Sequence, residues 1–399
     1  MEIENKKRKI WPWVLVAVVL GIAAGIAVFW WLSYLMADDV QAPSGEAPEE
    51  EAPKASVVSV EGKMLLTGNI FWGRKINTAA RASDMGVEFA FSGLAEFGRE
   101  GYTDWIGGLE CPVTDRGQNK YEQEQLLKFN CDPDYLPSFA KWFSAVSLGT
   151  NHTGDQGADG FAETKKWLGE AGIGYFGHYD YKDTEEVCGV VGVKVIEKMS
   201  DGSEVEKVLP MGFCGWNGVF GAPTEASLLR IKEFAEVMPV VAMPHMGVEY
   251  KPASDSLRER IYRKMIDYGA EFVAGDHPHW VQNAEVYQGK LIVYAMGNFL
   301  FDQVWDLDVR RSAAIAAGFA VSGAEGWEEI AEECVRGGLL VCKGLAEEKG
   351  LAKYGVKWDF DVVGTLMGKD FVLRKADEGV TQGILGRLRW GEVKTGLQG

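Results

Sequence analysis

The sequence predicts an α/β domain preceded by one transmembrane helix, and three features predict it. Residues 11–36 read WPWVLVAVVLGIAAGIAVFWWLSYLM without a single charge. Beyond residue 57, short apolar runs alternate with stretches of helical period, the pattern of strands and helices taken in turn. Repeatedly, an apolar run ends in a small residue beside an asparagine, glutamate or histidine, the place where α/β sheets build their sites.

At about 1.5 Å per residue, the uncharged run is long enough to cross a hydrocarbon core about 30 Å thick. Lys6, Lys7, Arg8 and Lys9 precede it, Asp38 and Asp39 follow, and tryptophans sit at both ends. The positive-inside rule then places residues 1–10 in the cytoplasm as a basic tail and everything after residue 36 outside, in a single-pass protein of the cell membrane. A cleaved signal peptide is the rival; the run exceeds a normal apolar core, and only Val40-Gln41-Ala42 offers a small-residue cleavage site. Residues 37–56 are rich in Pro, Glu, Ala and Ser, a disordered linker. Residues 57–399 form the external domain.

With 47% hydrophobic and 12% aromatic residues, a chain of 399 residues can bury a substantial core. A formal charge of −17 excludes nucleic acid as a partner, because phosphate binding needs a basic face. An anionic ligand must be met locally, by a metal or by backbone donors. The six cysteines all lie in the external part, where oxidation is permitted. Connectivity is not fixed by sequence. Strands expected over 188–197 and 205–214 flank Ser200-Asp201-Gly202-Ser203, a hairpin that sets Cys188 nearly opposite Cys214; buried free thiols are the competing reading.

Taken in order, residues 57–68 are a strand ending at Asn69, with Arg74 just beyond. Residues 106–109 are a short strand ending at Glu110. Residues 142–148 lead into a small-residue turn holding Asn151, His152 and Asp155. A helix over 161–171 ends at Gly172. After the hairpin, Pro223-Thr224 opens a helix with Leu228, Ile231, Ala235 and Met238 on one face. Residues 239–243 form a strand that ends in His245. Ser256 and Glu259 stand in capping-box spacing at the start of a helix with a stripe of Leu257, Ile261, Met265 and Tyr268. Residues 271–274 form a strand running into Gly275-Asp276-His277-Pro278-His279. In a regular strand His277 and His279 share one face, since side chains alternate. Residues 291–295 are a further strand, followed by Asn298 and Asp302. Past residue 306 the pattern weakens into short strands and a helix near 326–333, with no motif.

Four of the five histidines thus fall at strand ends, together with Asn69, Glu110 and Asn151; His178 stands apart. Packing alone reads them as buried hydrogen-bonding groups. The repetition reads them as ligands, because imidazole, carboxylate and amide without thiolate suit one or two ions of manganese, iron or zinc. Such ions clamp a phosphate ester, and His152 beside Asn151 could protonate a leaving oxygen. Trp72, Trp280 and Trp305 flank these motifs, where packing is a commoner use of tryptophan than stacking on a polymer.

The motifs TGNIFWGR (67–74), GLECPVTD (108–115), TNHTGDQG (150–157), HMGVEY (245–250), GDHPHWVQ (275–282) and GNFLFDQ (297–303) resemble, in order and spacing, those of the CapA/PgsA family of capsular poly-γ-glutamate synthesis, within the calcineurin-like metallophosphoesterases. The resemblance implies a metallophosphoesterase-like β-sandwich flanked by helices. It implies metal ligands at Asn69, Glu110, Asn151, His245, His277 and His279, catalytic roles for His152 and Asn151, and supporting or substrate contacts from Arg74, Asp155, Glu249, Asn298 and Asp302. It also implies an anionic polymer or phosphoester ligand and a membrane-bound polymer synthase as partners. One departure matters: the family usually has Gly-Asp where this chain has Gly68-Asn69, exchanging an anionic ligand for a neutral amide. Three functions follow as expectations: assistance in polymer synthesis or export, metal-dependent phosphoester hydrolysis, and a scaffold whose metal site has lapsed.

Overall fold

The computed structural model describes residues 27–32, 55–117 and 119–398. The chain divides into two compact units, Met1–Lys54 and Ala55–Gly399. Of the first, only 27–32 is described, as an exposed helical stretch. The transmembrane helix expected over 11–36 otherwise lies outside the described residues, as do the basic tail at 1–10 and most of the linker at 37–56. Among the described residues no helix is long and apolar enough to cross a membrane.

The second unit is a mixed α/β fold with one large mixed sheet flanked by helices. Its strands are β1 (Val57–Ile70), β2 (Asp104–Leu109), β3 (Ala145–Ser147), β4 (Gly174–Phe176), β5 (Cys188–Met199), β6 (Glu204–Cys214) and β7 (Val240–Ala242). β8 (Phe272–Ala274), β9 (Ala284–Tyr287), β10 (Lys290–Val293), β11 (Asn298–Leu300), β12 (Arg311–Ser322), β13 (Gly355–Met367) and β14 (Leu373–Lys375) complete it. β1 is the branch point. It pairs antiparallel with β12 and β5 and parallel with β2 and β11. One arm runs β5-β6-β7-β8-β10-β9, another runs β2-β3-β4, and β12-β13-β14 lie on the far side of β1. One apolar core gathers around β5 to β10 and the C-terminal helices, a second around β2, β3 and the N-terminal helices.

Within the arms, β1 to β4 pair parallel, and so do β6, β7, β8 and β10. Parallel strands are covered on both faces, which is why β3, β7 and β8 are short and wholly buried. It also sends their carboxyl ends, and the residues that follow them, to one rim.

Several local expectations change at their edges. The helix expected over 161–171 begins a turn earlier, as Gly157–Glu170. Thr224 caps the helix Glu225–Ala235 by accepting from the Ser227 N–H. The capping box at Ser256 gives way to Asp255, whose side chain accepts from the Leu257 and Arg258 N–H groups of Ser256–Asp267. The largest departure lies past residue 306: β12 and β13 pair over their full length, and the helix between them is Ala331–Lys349, not 326–333. β12 is rich in alanine, a poor strand former that is overridden by its place between β1 and β13. Gly337 and Gly338 interrupt the helical pattern, and Gly338 is a kink with φ 70°. All six cysteines are paired, as Cys111–Cys131, Cys188–Cys214 and Cys334–Cys342. The hairpin register does set Cys188 opposite Cys214.

Candidate metal centre

Each expected residue lies where a parallel strand ends. Asn69 is the penultimate residue of β1, Glu110 follows β2, Asn151 and His152 stand in the turn after β3, His245 follows β7, and His277 and His279 follow β8. The regular strand expected through the histidine pair is not formed: β8 stops at Ala274, and His277 and His279 take left-handed backbone with φ of 95° and 60°. That bend, not strand alternation, aims both rings inward, with centroids 5.9 Å apart. Arg74 (φ 45°) and Tyr250 (φ 57°) at the same pocket are also left-handed. Such conformations cost free energy and persist where the surroundings over-determine them, often at functional sites.

Two groups of donors result. In the first, His245 Nε2 lies 2.8 Å from Asn151 Oδ1 and 3.2 Å from His277 Nδ1. One proton on that nitrogen can serve only one of the two, and His245 Nδ1 is buried without a partner. In the second, His279 Nδ1 lies 2.8 Å from Asn298 Oδ1, an acceptor, and 2.9 Å from Asn69 Nδ2, a donor. Its Nε2 lies 3.9 Å from Glu110 Oε1 and 3.8 Å from Glu249 Oε1. The same Asn69 Nδ2 donates to the Asn298 oxygen at 3.1 Å, and Asn69 Oδ1 is buried without a partner.

Burial sets the charge state. It holds His245 and His277 well below the usual imidazole range and His279 at about 4, with the neighbouring histidines adding to the effect at His245 and His277. Burial likewise raises Glu110 well above the usual carboxylate range, and the charges of Asp276 and Glu249 raise it further. The approach of Glu110 to His279 is therefore no ion pair, because the fold disfavours both charges. The rings are neutral and ready to ligate.

The wall of the pocket is aromatic and carries charges of both signs. Arg74 donates from Nε to Asp302 at 3.1 Å and lies over the Phe129 ring at 4.4 Å. His152 stacks on Phe129 at 3.9 Å, and its Nδ1 lies 2.8 Å from Asp155 Oδ2, which fixes its tautomer and leaves Nε2 free. Tyr250 stacks on His279. Together with Glu249, Phe301, Gln303 and the exposed Trp305 they line a cavity of about 400 Å³. Trp72 is core. His178 packs on Phe161 and Tyr179, outside the set.

Sequence reasoning missed the wall residues Phe129 and Phe301, and it missed Asp276. Asp276 carried a signal, since it stands beside His277 at a strand end.

Among the described residues, no three His, Cys, Asp or Glu side chains close on one point as a finished ligand set. The atoms left without partners nonetheless fit a cation. Asn69 Oδ1, both oxygens of Glu110 and both of Asp276 are buried with no hydrogen bond. All five are acceptors, and a divalent ion satisfies acceptors that no protein donor reaches.

The model of the bacterial capsule synthesis protein PGA_cap matches residues 63–303. The capsule biosynthesis protein CapA of Bacillus anthracis is 26% identical over 61% of this chain and 60% of its own length. The PGA biosynthesis protein CapA of Bacillus subtilis is 26% identical over 71% of this chain and 72% of its own. A solved structure, TT1561 of Thermus thermophilus, aligns with a TM-score of 0.29 at 10% identity over 65% of this chain and 94% of its own.

Proposed function

Because the chain belongs to the bacterial capsule synthesis family PGA_cap, we propose that it serves synthesis or export of a capsular polymer, poly-γ-glutamate, from an extracytoplasmic domain held by one membrane helix. The chain spans 60% of the length of the Bacillus anthracis relative, so activity and partners are part of this proposal. Three disulfides and the charge pattern around residues 11–36 support the outward placement. The two cores on either side of β1 support a metallophosphoesterase-like sandwich.

Within that role, the pocket holds a divalent metal, manganese, iron or zinc, and receives a phosphoester or the anionic polymer itself. The observation that carries this reading is the set of buried acceptors without donors among neutral histidines. Asn69, Glu110, Asn151, His245, His277 and His279 would hold the metal. When bound, it supplies Lewis-acid activation of a phosphoester. The protein's own part is positional. Arg74, braced by Asp302, presents positive charge to an anionic group, and His152, with Nδ1 held by Asp155, can carry a proton at Nε2 to a leaving oxygen.

The test is metal content of the full chain, purified in detergent without chelator, followed by hydrolysis of a generic phosphodiester. About one or two ions per chain, lost in His279→Ala, is the expected result. A chain that holds none, but gains metal through Asn69→Asp, would replace this reading with a scaffold whose site has lapsed. Metal without turnover would keep the site and retire hydrolysis.

A further inference from the structure

Asp276 is 5% exposed, and neither of its carboxylate oxygens has a hydrogen-bond partner. Its backbone is fully engaged, since its N–H donates to Pro244 and its carbonyl accepts from Met246, on either side of His245. The side chain lies over two glycines. A Cβ at Gly68 would stand 3.4 Å from Oδ1, and one at Gly108 would stand 3.0 Å from Oδ2. Gly68 precedes Asn69, and Gly108 is Asn69's partner in the β1–β2 register. The carboxylate therefore rests against the strand pair from which Asn69 and Glu110 emerge.

Buried acceptors that no protein donor reaches are satisfied by a cation. Charge points the same way. With a neutral amide at Asn69 and Glu249 exposed, Glu110 is the one buried carboxylate among the expected ligands. Asp276 brings the count of buried carboxylates to two, which balances a divalent ion.

Resting on the metal reading above, we propose that Asp276 supplies the anionic metal ligand that Asn69 lacks, so that the carboxylate has moved from the end of β1 to the end of β8. The glycines at 68 and 108 are part of the same arrangement, because they leave the room it occupies.

The test is zinc and manganese affinity of the full chain in detergent, measured by competition with a chromophoric chelator. It compares the native chain, Asp276→Asn, His279→Ala and the Asn69→Asp, Asp276→Asn double variant. Asp276→Asn is expected to weaken binding roughly tenfold or more, and the double variant to regain most of the loss. Metal-free Asp276→Asn is expected to melt no lower than the native chain, since it removes an unpaired buried acid. Asp276→Ser is the second variant if circular dichroism shows Asp276→Asn unfolded. Native affinity in a folded Asp276 variant, with binding lost in His279→Ala, overturns the role of Asp276 and leaves the metal site standing. Failure of the native chain to bind either ion overturns both.

Discussion

β1 runs between two cavities that differ in kind. The one beside its first half, about 950 Å³, is lined by Glu61, Lys63, Arg99, Lys194, Lys198 and Glu206 among others. The one beyond its last residues, about 400 Å³, is lined by Glu110, His152 and His279 among others. In the larger, charges satisfy one another: Lys198 reaches Glu61 at 2.7 Å and Lys194 reaches Glu206 at 2.8 Å. Its buried atoms without partners, Arg99 Nε and Trp358 Nε1, are lone donors. In the smaller, both oxygens of Glu110 lack any donor, as do Asn69 Oδ1 and both oxygens of Asp276 on the neighbouring strand ends. Space alone would choose the wrong cavity. Bonding capacity left over after folding is the better guide, because an unsatisfied buried group costs stability and persists when something else satisfies it.

The sharpest way to break this contrast is one substitution made beside the strand-end donors and again at the larger cavity. In Gly68→Ala the new Cβ would lie 1.8 Å from the Gly297 carbonyl oxygen, a backbone atom that cannot swing away. Denaturant melting should show a loss of roughly 2–3 kcal/mol, with metal uptake abolished. Gly101, at the larger cavity, has nothing within 4 Å of its Cβ position, and Gly101→Ala should stay within about 0.5 kcal/mol of the native chain. Comparable effects at both would erase the distinction.

A smaller effect separates the carboxylates. Glu110→Gln removes a buried acid that the fold disfavours, so the metal-free protein should gain about 1 kcal/mol while its zinc affinity falls. Lys198→Ala at the larger cavity, breaking an exposed pair, should move neither quantity. A metal-free Glu110→Gln that melts below the native chain would mean that the protein itself bonds this carboxylate.

The legible parts of this molecule are those whose signal is local. Short, continuously apolar runs marked β3, β7 and β8, and a polar residue at the end of such a run marked each strand-end donor from Asn69 to His279. The hairpin turn at 200–203 fixed a register that also aligned Cys188 with Cys214. What stayed hidden depends on tertiary context. β12 is a strand because β1 and β13 flank it, although its alanines argue otherwise. The left-handed backbone at His277 and His279 has no sequence signature, so strand alternation was the wrong geometric reason to expect both rings on one face. Asp276 was overlooked because strand alternation assigns it to the face opposite its histidine neighbours. Its glycine cradle at 68 and 108 comes from distant strands.

β2 carries the same contrast along a single strand, with a buried carboxylate at each end. Asp104, at the end nearer the larger cavity, accepts from the Lys194 N–H at 2.9 Å, whereas Glu110 accepts from nothing. Burial raises Asp104 above the usual carboxylate range despite bonds that pull it down. A raised folded value means the native state holds its proton more tightly than the unfolded chain. Its stabilising effect is complete below about pH 4 and is lost as pH rises through the folded value. Asp104→Asn does not titrate and keeps an oxygen for Lys194. It should therefore equal the native chain near pH 3.5 and exceed it at pH 7, by less than about 1 kcal/mol. Melting curves at the two pH values check this. A variant weaker than native at pH 7 would show that the fold depends on charge at Asp104, which would place the two ends of β2 in different classes for a reason other than bonding.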